Sequence, residues 1–134
     1  MEESQNSKVK IQNCNSKFKT DLKARCYKFS LGIIALADSL PNKRSSWIIM
    51  DQLIRSATSI GANLIEARAS SSRLEFKRFY EIALKSANET KYWLSLLNDT
   101  GLAEEKKVNV FMVEVDEIAK MLAASILKLK SKNF

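Results

Sequence analysis

Apolar residues recur along four stretches of this chain at alternating spacings of three and four, which places their side chains on one face of an α-helix. The first stretch runs from Leu22 through Cys26, Phe29 and Ile33 to Leu40. The same spacing returns in three later stretches, and the whole sequence contains only three glycines and one proline. Because β-sandwiches and barrels need many turns rich in glycine and proline, the pattern indicates an all-α protein.

Breaks in this spacing set the ends of four predicted helices. The predicted ranges are Thr20–Ser39, Ser46–Ala69, Leu74–Asn98 and Ala103–Leu129. Residues that commonly begin or end helices lie at the breaks. The candidates are Thr20 or Asp21 and Ser45 or Ser46 as N-caps, Ser72 with Glu75 as a capping box, and Gly101 as the left-handed residue after the third helix.

Four helices of similar length joined by short connections predict an antiparallel up-down-up-down four-helix bundle. The chain of 134 residues has the size of one domain. In this interpretation residues 18–130 form the bundle and residues 131–134 a short C-terminal tail. Residues 1–17 are rich in Ser, Asn, Gln and Lys and carry no helical period, so they are expected to form a flexible N-terminal arm.

The absence of histidine from the sequence removes several kinds of site. Serine–histidine and cysteine–histidine nucleophile pairs need it, and so do the Glu-x-x-His pairs of di-iron bundles. Cys14 and Cys26 have no CxxC partner, so we expect neither a metal site nor a disulfide framework. The chain also lacks a glycine-rich phosphate loop. We therefore expect no cofactor and no enzymatic activity.

The N-terminal segment has no apolar stretch of signal-peptide length, and no window approaches the ~20 apolar residues of a membrane span. Two cysteines without a disulfide framework suit a reducing compartment. These features predict a cytoplasmic protein with no membrane partner.

Polar residues at helical spacing accompany the apolar stripes of the second and third predicted helices. Asn63 and Glu66 share a face of the second helix, and Ser86 and Glu89 share a face of the third. Two carboxylates on facing helices could act as an acid–base pair. The favoured interpretation is a structural network that sets helix register or forms a subunit contact.

Basic residues outnumber acidic ones by 22 to 15, which gives a formal net charge of +7. Eight of them, on or beside the first and third predicted helices, are candidates for contacts with nucleic acid. They are Lys19, Lys23, Arg25, Lys28, Arg73, Lys77, Arg78 and Lys85. A basic stripe on these helices could follow a phosphate backbone. The alternative is a row of ordinary solvated charges.

Several segments resemble the four-helix bundle proteins encoded within intervening sequences of bacterial 23S ribosomal RNA genes. The resemblance rests on Asp21-Leu22, Tyr27-Lys28-Phe29-Ser30, Gln52 through Ala67, Ala83 through Thr90 and Tyr92-Trp93-Leu94. It covers roughly residues 18–127, and the segment from Arg55 to Glu66 is its most specific part. This chain has Leu64-Ile65-Glu66-Ala67 where the family often has Ile-Ala-Glu-Gly.

The resemblance implies an antiparallel four-helix bundle that assembles into a barrel-like homopentamer. It is also similar to the accessory proteins of diversity-generating retroelements, which are basic pentamers that bind nucleic acid and a reverse transcriptase. No catalytic residues are known for the family, so the resemblance implies none in this chain. Six positions match its recurrent polar motif, with a structural or interface role, and these are Arg55, Ser59, Asn63, Glu66, Ser86 and Glu89.

The second predicted helix offers residue-level support for an oligomer. Beside its apolar stripe it carries small and polar residues at Ser56, Ser59, Ala62 and Asn63. A helix with two packing faces in a small bundle favours contacts beyond its own chain. We therefore expect a non-enzymatic homo-oligomer that binds structured nucleic acid such as ribosomal RNA, or a ribonucleoprotein. The alternative is a scaffold that binds an acidic partner protein.

Overall fold

The computed structural model describes residues 21–131, which form four helices. They are α1 (Leu22–Asp38), α2 (Arg44–Arg68), α3 (Arg73–Asp99) and α4 (Glu105–Ser131). Each end lies within two residues of its predicted position, so the all-α prediction is confirmed. The predicted arm, Lys19, Cys14 and residues 132–134 of the predicted tail lie outside the described residues, whereas Ser131 ends α4.

Side-chain caps begin α1 and α3 as predicted. The backbone N–H of Ala24 donates to Oδ1 of Asp21 at 3.2 Å. At the start of α3, the backbone N–H of Glu75 donates to Oγ of Ser72 at 3.1 Å, and Oε1 of Glu75 accepts from the N–H of Ser71 at 2.9 Å. These bonds satisfy N–H groups that have no partner within a helix, so they define where each helix begins.

The predicted caps Ser45 and Ser46 of α2 are wrong. The helix begins two residues earlier, and its N-cap is Lys43, in an extended conformation and with no side-chain bond. Ser46 is instead buried within the first turn, where its hydroxyl has no hydrogen-bond partner among the described residues. The turn before the helix is held by Asn42, whose side-chain oxygen accepts from Nε1 of Trp47 at 2.9 Å.

The helices pack as a closed ring around one apolar core. Helix α1 packs against α2 and α4, and α3 packs against the same two helices. Helices α1 and α3 therefore lie at diagonal corners of the bundle. Contacts from Ser59 to Ser86 and from Ser56 to Thr90 show that α2 and α3 run in opposite directions. The antiparallel up-down-up-down prediction is confirmed.

This topology places four helix termini together at one end of the bundle. The start of α1, the end of α2, the start of α3 and the end of α4 all lie there, beside the α2–α3 turn at residues 69–72. We call this region the turn end. The other end holds the turn after Asp99, where Gly101 has the predicted left-handed conformation with φ of 71°.

Candidate nucleic-acid interface

Positive charge is concentrated in the half of the described bundle nearest the turn end. The Ser56–Thr90 hydrogen bond and the Lys91–Asp116 ion pair mark the middle of the bundle. On the turn-end side, residues 21–30, 57–89 and 117–131 hold 11 basic and 6 acidic side chains, a net charge of +5. On the other side, residues 31–56 and 90–116 hold 6 basic and 7 acidic side chains, a net charge of −1.

The basic residues predicted on the first helix have different surroundings. Lys23 and Lys28 are exposed on α1. Arg25 is half-buried and forms a bidentate ion pair with Glu114 of α4, with Nε to Oε2 at 3.0 Å and Nη2 to Oε1 at 2.7 Å. The hydrogen bond to Glu114 raises the pKa of Arg25 above its ordinary value. The Arg25 guanidinium therefore ties α1 to α4.

The basic residues predicted on the third helix are mostly exposed. Arg73, Arg78 and Lys85 lie at the surface, and Lys77 is half-buried with Nζ at 3.7 Å from Oε2 of Glu81. Because α1 and α3 occupy diagonal corners, the two predicted groups of cations do not form one continuous stripe along neighbouring helices. Both groups of cations nevertheless lie in the half of the bundle nearest the turn end.

Three exposed cations at the turn end were not among the eight predicted from the sequence, namely Arg68, Lys128 and Lys130. They belong to the last turns of α2 and α4. In the sequence, Lys128 and Lys130 indicate a favourable charge near the C-terminal end of a helix dipole. Only the antiparallel topology brings them to the same end as Arg73, which lies more than fifty positions earlier in the chain.

Two residues of the polar motif meet across the α2–α3 interface, and a third bonds to one of them within α2. The hydroxyls of Ser59 and Ser86 are 2.9 Å apart, and either can be the donor. Nδ2 of Asn63 donates to the carbonyl of Ser59 at 2.8 Å and to its Oγ at 3.0 Å. The serine pair joins α2 to α3 at one register, and the Asn63 amide, on α2 itself, holds Ser59, as expected for a structural network.

A second polar contact, missed as a pair by sequence reasoning, lies about one turn further along both helices. The hydroxyl of Thr90 donates to Oγ of Ser56 at 3.0 Å, and both residues are buried. In the sequence, Ser56 belongs to the small and polar residues beside the apolar stripe of the second helix, and helical spacing alone does not pair it with Thr90. Their pairing follows from the antiparallel register, because residues before Ser59 on α2 face residues after Ser86 on α3.

The remaining motif residues lie at the surface. Arg55, Glu66 and Glu89 are exposed. Oε2 of Glu89 accepts from Nε1 of Trp93 at 2.9 Å, a contact within one helix. Exposed carboxylates lack the enclosed environment that tunes an acid–base pair. The geometry therefore favours the structural interpretation of the motif over the catalytic one.

An apolar groove of about 670 Å³ runs between α1 and α2. Its rim includes Tyr27, Leu31 and Ile65, which are 62%, 52% and 48% exposed, and Ala62 lines it from α2. By contrast, two of the four residues predicted as a second packing face of α2 bond to α3 of the same chain, Ser56 to Thr90 and Ser59 to Ser86. The α2 face that has no partner within the described residues therefore overlaps the predicted face only at Ala62.

Residues 21–131 contain neither a membrane-spanning helix nor a cluster of metal-binding side chains. No helix there is long and apolar enough to cross a membrane. No group of three or more His, Cys, Asp or Glu side chains in that range could hold a metal ion.

Comparison with known proteins places the chain in a family. Among curated proteins, none matches the sequence significantly. A crystal structure of a protein of unknown function from the S23 ribosomal protein family of Bacteroides thetaiotaomicron is similar, with 37% sequence identity and a TM-score of 0.74. The match covers 78% of this chain and 97% of that one.

The sequence model of the 23S rRNA-intervening sequence proteins matches residues 19–124, which span all of α1, α2 and α3 and most of α4. The chain therefore belongs to the 23S rRNA-intervening sequence protein family.

Proposed function

We propose that this protein is a non-enzymatic, homo-oligomeric bundle that binds structured nucleic acid, such as ribosomal RNA or a ribonucleoprotein, through its turn end. The observation that carries this proposal is the charge difference between the two halves of the described bundle, +5 against −1. A concentrated positive field attracts phosphate backbones and raises the rate of encounter with them.

Affinity in this proposal comes from exposed cations that neutralise phosphates. Arg68, Arg78, Lys128 and Lys130 are exposed near the same end, and Lys23 lies on the neighbouring α1. Such contacts position a nucleic acid but carry little information about its sequence. If about five phosphates are neutralised, the affinity should fall roughly 10⁴-fold between about 50 and 500 mM salt, because released counterions oppose binding.

The α1–α2 groove supports the oligomer. Its exposed apolar rim, with Tyr27, Leu31 and Ile65, is the kind of surface that a second subunit covers. In a cyclic homo-oligomer, a homopentamer by the family resemblance, every turn end faces the same side of the ring. Several basic turn ends on one side would engage one long nucleic acid together, with higher avidity than a single subunit has.

Gel-shift titration of a structured ribosomal RNA fragment at about 50 and 500 mM salt tests the nucleic-acid function. The decisive pair of variants reverses two cations at each end. Arg78→Glu with Lys130→Glu should weaken binding at least tenfold, whereas the control Lys106→Glu with Lys107→Glu, at the other end, should have a much smaller effect. No binding at the lower salt, or equal losses for both pairs, would overturn the proposal.

Light scattering tests the assembly. The unchanged protein should have the mass of an oligomer, and Leu31→Asp or Ile65→Asp should dissociate it because each places a charge in the groove. The control is Val110→Asp, which changes an exposed apolar residue of α4 outside the groove. A monomeric unchanged protein would contradict the oligomer.

The competing function is a scaffold that binds an acidic protein, which the positive turn end would also attract. The protein partner that the family resemblance suggests is a reverse transcriptase. Capture experiments from lysate with and without nuclease separate these cases. A partner that survives nuclease treatment, combined with no RNA shift, would favour the protein scaffold.

A further inference from the structure

Two adjoining hollows lie at the turn end. The first, of about 260 Å³, is formed between α3 and α4 by Arg73, Phe76, Tyr80, Ser125, Lys128 and Leu129. The second, of about 430 Å³, lies over the α2–α3 turn and adds Arg68 and the serines at 70–72. Arg73, Phe76 and Leu129 line both, so the hollows form one continuous depression. Together they combine aromatic, cationic and hydroxyl groups.

An aromatic pair lies within this depression. The rings of Phe76 and Tyr80 stack with centroids 4.9 Å apart and an angle of 22° between their planes. They are four residues apart on α3 and both are half-buried. A ring in such a stack uses one face for its partner, and the part of Phe76 that borders the hollows is available to a further planar group. Because Phe76 lines both hollows, that group would have space beside it.

Cations surround the aromatic pair. Arg68 lines the hollow over the turn and Lys128 the hollow between α3 and α4, so the two reach the depression from different sides. Burial raises the pKa of Tyr80, and the positive charge of Arg68 acts in the opposite direction, which places Arg68 within electrostatic range of the ring. The carboxylate of Glu75, nearby in sequence, accepts a hydrogen bond from the N–H of Ser71 in the capping box.

We propose that this depression binds one unpaired nucleotide of an RNA or DNA strand, with its base stacked on Phe76 and its phosphate held by Arg68 and Lys128. The inference rests on the proposed nucleic-acid function and specifies it. A base inside a duplex is stacked on its neighbours, so only a loop, bulge or strand end offers a free face to an aromatic ring. Cations alone would not make this distinction, since a duplex carries the same phosphates.

The size and chemistry of the site suit a nucleotide within a strand better than a separate small ligand. Pockets for drug-sized molecules typically occupy about 300–1,000 Å³ and enclose most of their ligand. Here the 260 Å³ hollow accommodates a small planar group, while the 430 Å³ hollow beside it opens over the turn and leaves room for the strand to continue. The surrounding +5 half of the bundle would hold the flanking phosphates.

The test compares two RNAs with the same number of phosphates, a hairpin with an unpaired loop and a fully paired duplex. A 2-aminopurine in the loop reports stacking through its fluorescence. We expect the full-length protein to bind the hairpin about five- to a hundredfold more tightly than the duplex, the range expected for stacking of one base. Binding should also change the 2-aminopurine signal.

Variants of the depression separate stacking from charge. Phe76→Leu should remove most of the hairpin preference and leave duplex binding unchanged, whereas Phe76→Trp should retain the preference because it keeps an aromatic face. The matched control is Tyr92→Leu, which changes an exposed aromatic residue of the same helix in the other half of the bundle. Circular dichroism of each variant verifies that it is folded.

The outcomes are distinct. Equal, salt-dependent binding of hairpin and duplex, or a hairpin preference that Phe76→Leu leaves intact, would overturn this inference and leave the proposed function standing. Failure of both RNAs to bind at about 50 mM salt would overturn the proposed function and the inference with it.

Discussion

The ion pair between Arg25 and Glu114 yields the sharpest prediction about stability. Three guanidinium nitrogens are engaged, two with the carboxylate at 3.0 and 2.7 Å and the third with Sδ of Met121 at 3.3 Å. The two charged side chains are 27% and 34% exposed, so solvent screens the pair in part. Exposed ion pairs contribute about 0.2–1 kcal/mol, and hydrogen bonds to charged groups contribute about 1.5–3 kcal/mol. Because this pair is partly exposed, we expect a coupling free energy between these two ranges, about 1 kcal/mol.

A double-mutant cycle measures this coupling directly. Arg25→Met, Glu114→Gln and the double variant would be unfolded in urea at one protein concentration and neutral pH. We expect the coupling free energy to be about 1 kcal/mol, with the control Lys23→Met changing stability by less than about 0.5 kcal/mol because that side chain is exposed. A coupling below about 0.3 kcal/mol would refute the structural role of the pair.

The same variants discriminate between two roles for Arg25. Because its guanidinium is held by Glu114, we expect Arg25→Met to weaken nucleic-acid binding less than Lys23→Met does. The reverse order in a gel-shift titration would show that Arg25 contacts nucleic acid in spite of its partner.

Three further changes test the packing of the bundle. Thr90→Val removes a fully buried hydroxyl that bonds across the α2–α3 interface, and should lower the free energy of unfolding by about 1 kcal/mol; unchanged stability in urea would contradict this. Burial raises the pKa of Cys26 to about 12. In a Cys14→Ser variant, where Cys26 is the one remaining thiol, we therefore expect thiol reagents to react slowly at pH 8 until guanidinium unfolds the protein. Rapid labelling of the folded variant would contradict the burial of Cys26. Gly32→Ala would add a methyl 2.7 Å from the Phe111 ring, so thermal denaturation should show a loss of stability in place of the usual gain of ~1 kcal/mol in helix propensity.

The helices and the shape of the core could be predicted from the sequence because each depends on neighbours within about one helical turn. The three-and-four spacing that includes Cys26, Phe29 and Ile33 marks a buried face whichever helix covers it. The caps at Asp21 and Ser72 are equally local, since each bonds to an N–H three residues away. The prediction of Ser45 or Ser46 as the cap was wrong because the burial of Ser46 depends on packing against other parts of the chain, which the local sequence does not show.

The candidate site depended on contacts between distant parts of the chain. Arg25 reads as a free cation in the sequence, yet its partner Glu114 lies 89 positions away. In the same way, the α2–α3 register decided that Ser59 faces Ser86 and left Glu66 and Glu89 at the surface. Helical spacing states which residues share a face but not which helix that face meets.

Local sequence patterns were therefore sufficient to predict four amphipathic helices, their approximate ends and a net positive charge. The position of that charge depends on the packing of the helices, because the antiparallel arrangement brings the ends of α2 and α4 beside the starts of α1 and α3. The same packing also placed Arg68 and Lys128 around the Phe76–Tyr80 stack. Such a site forms from chain segments that are separated in sequence and become neighbours only when the apolar faces are buried together.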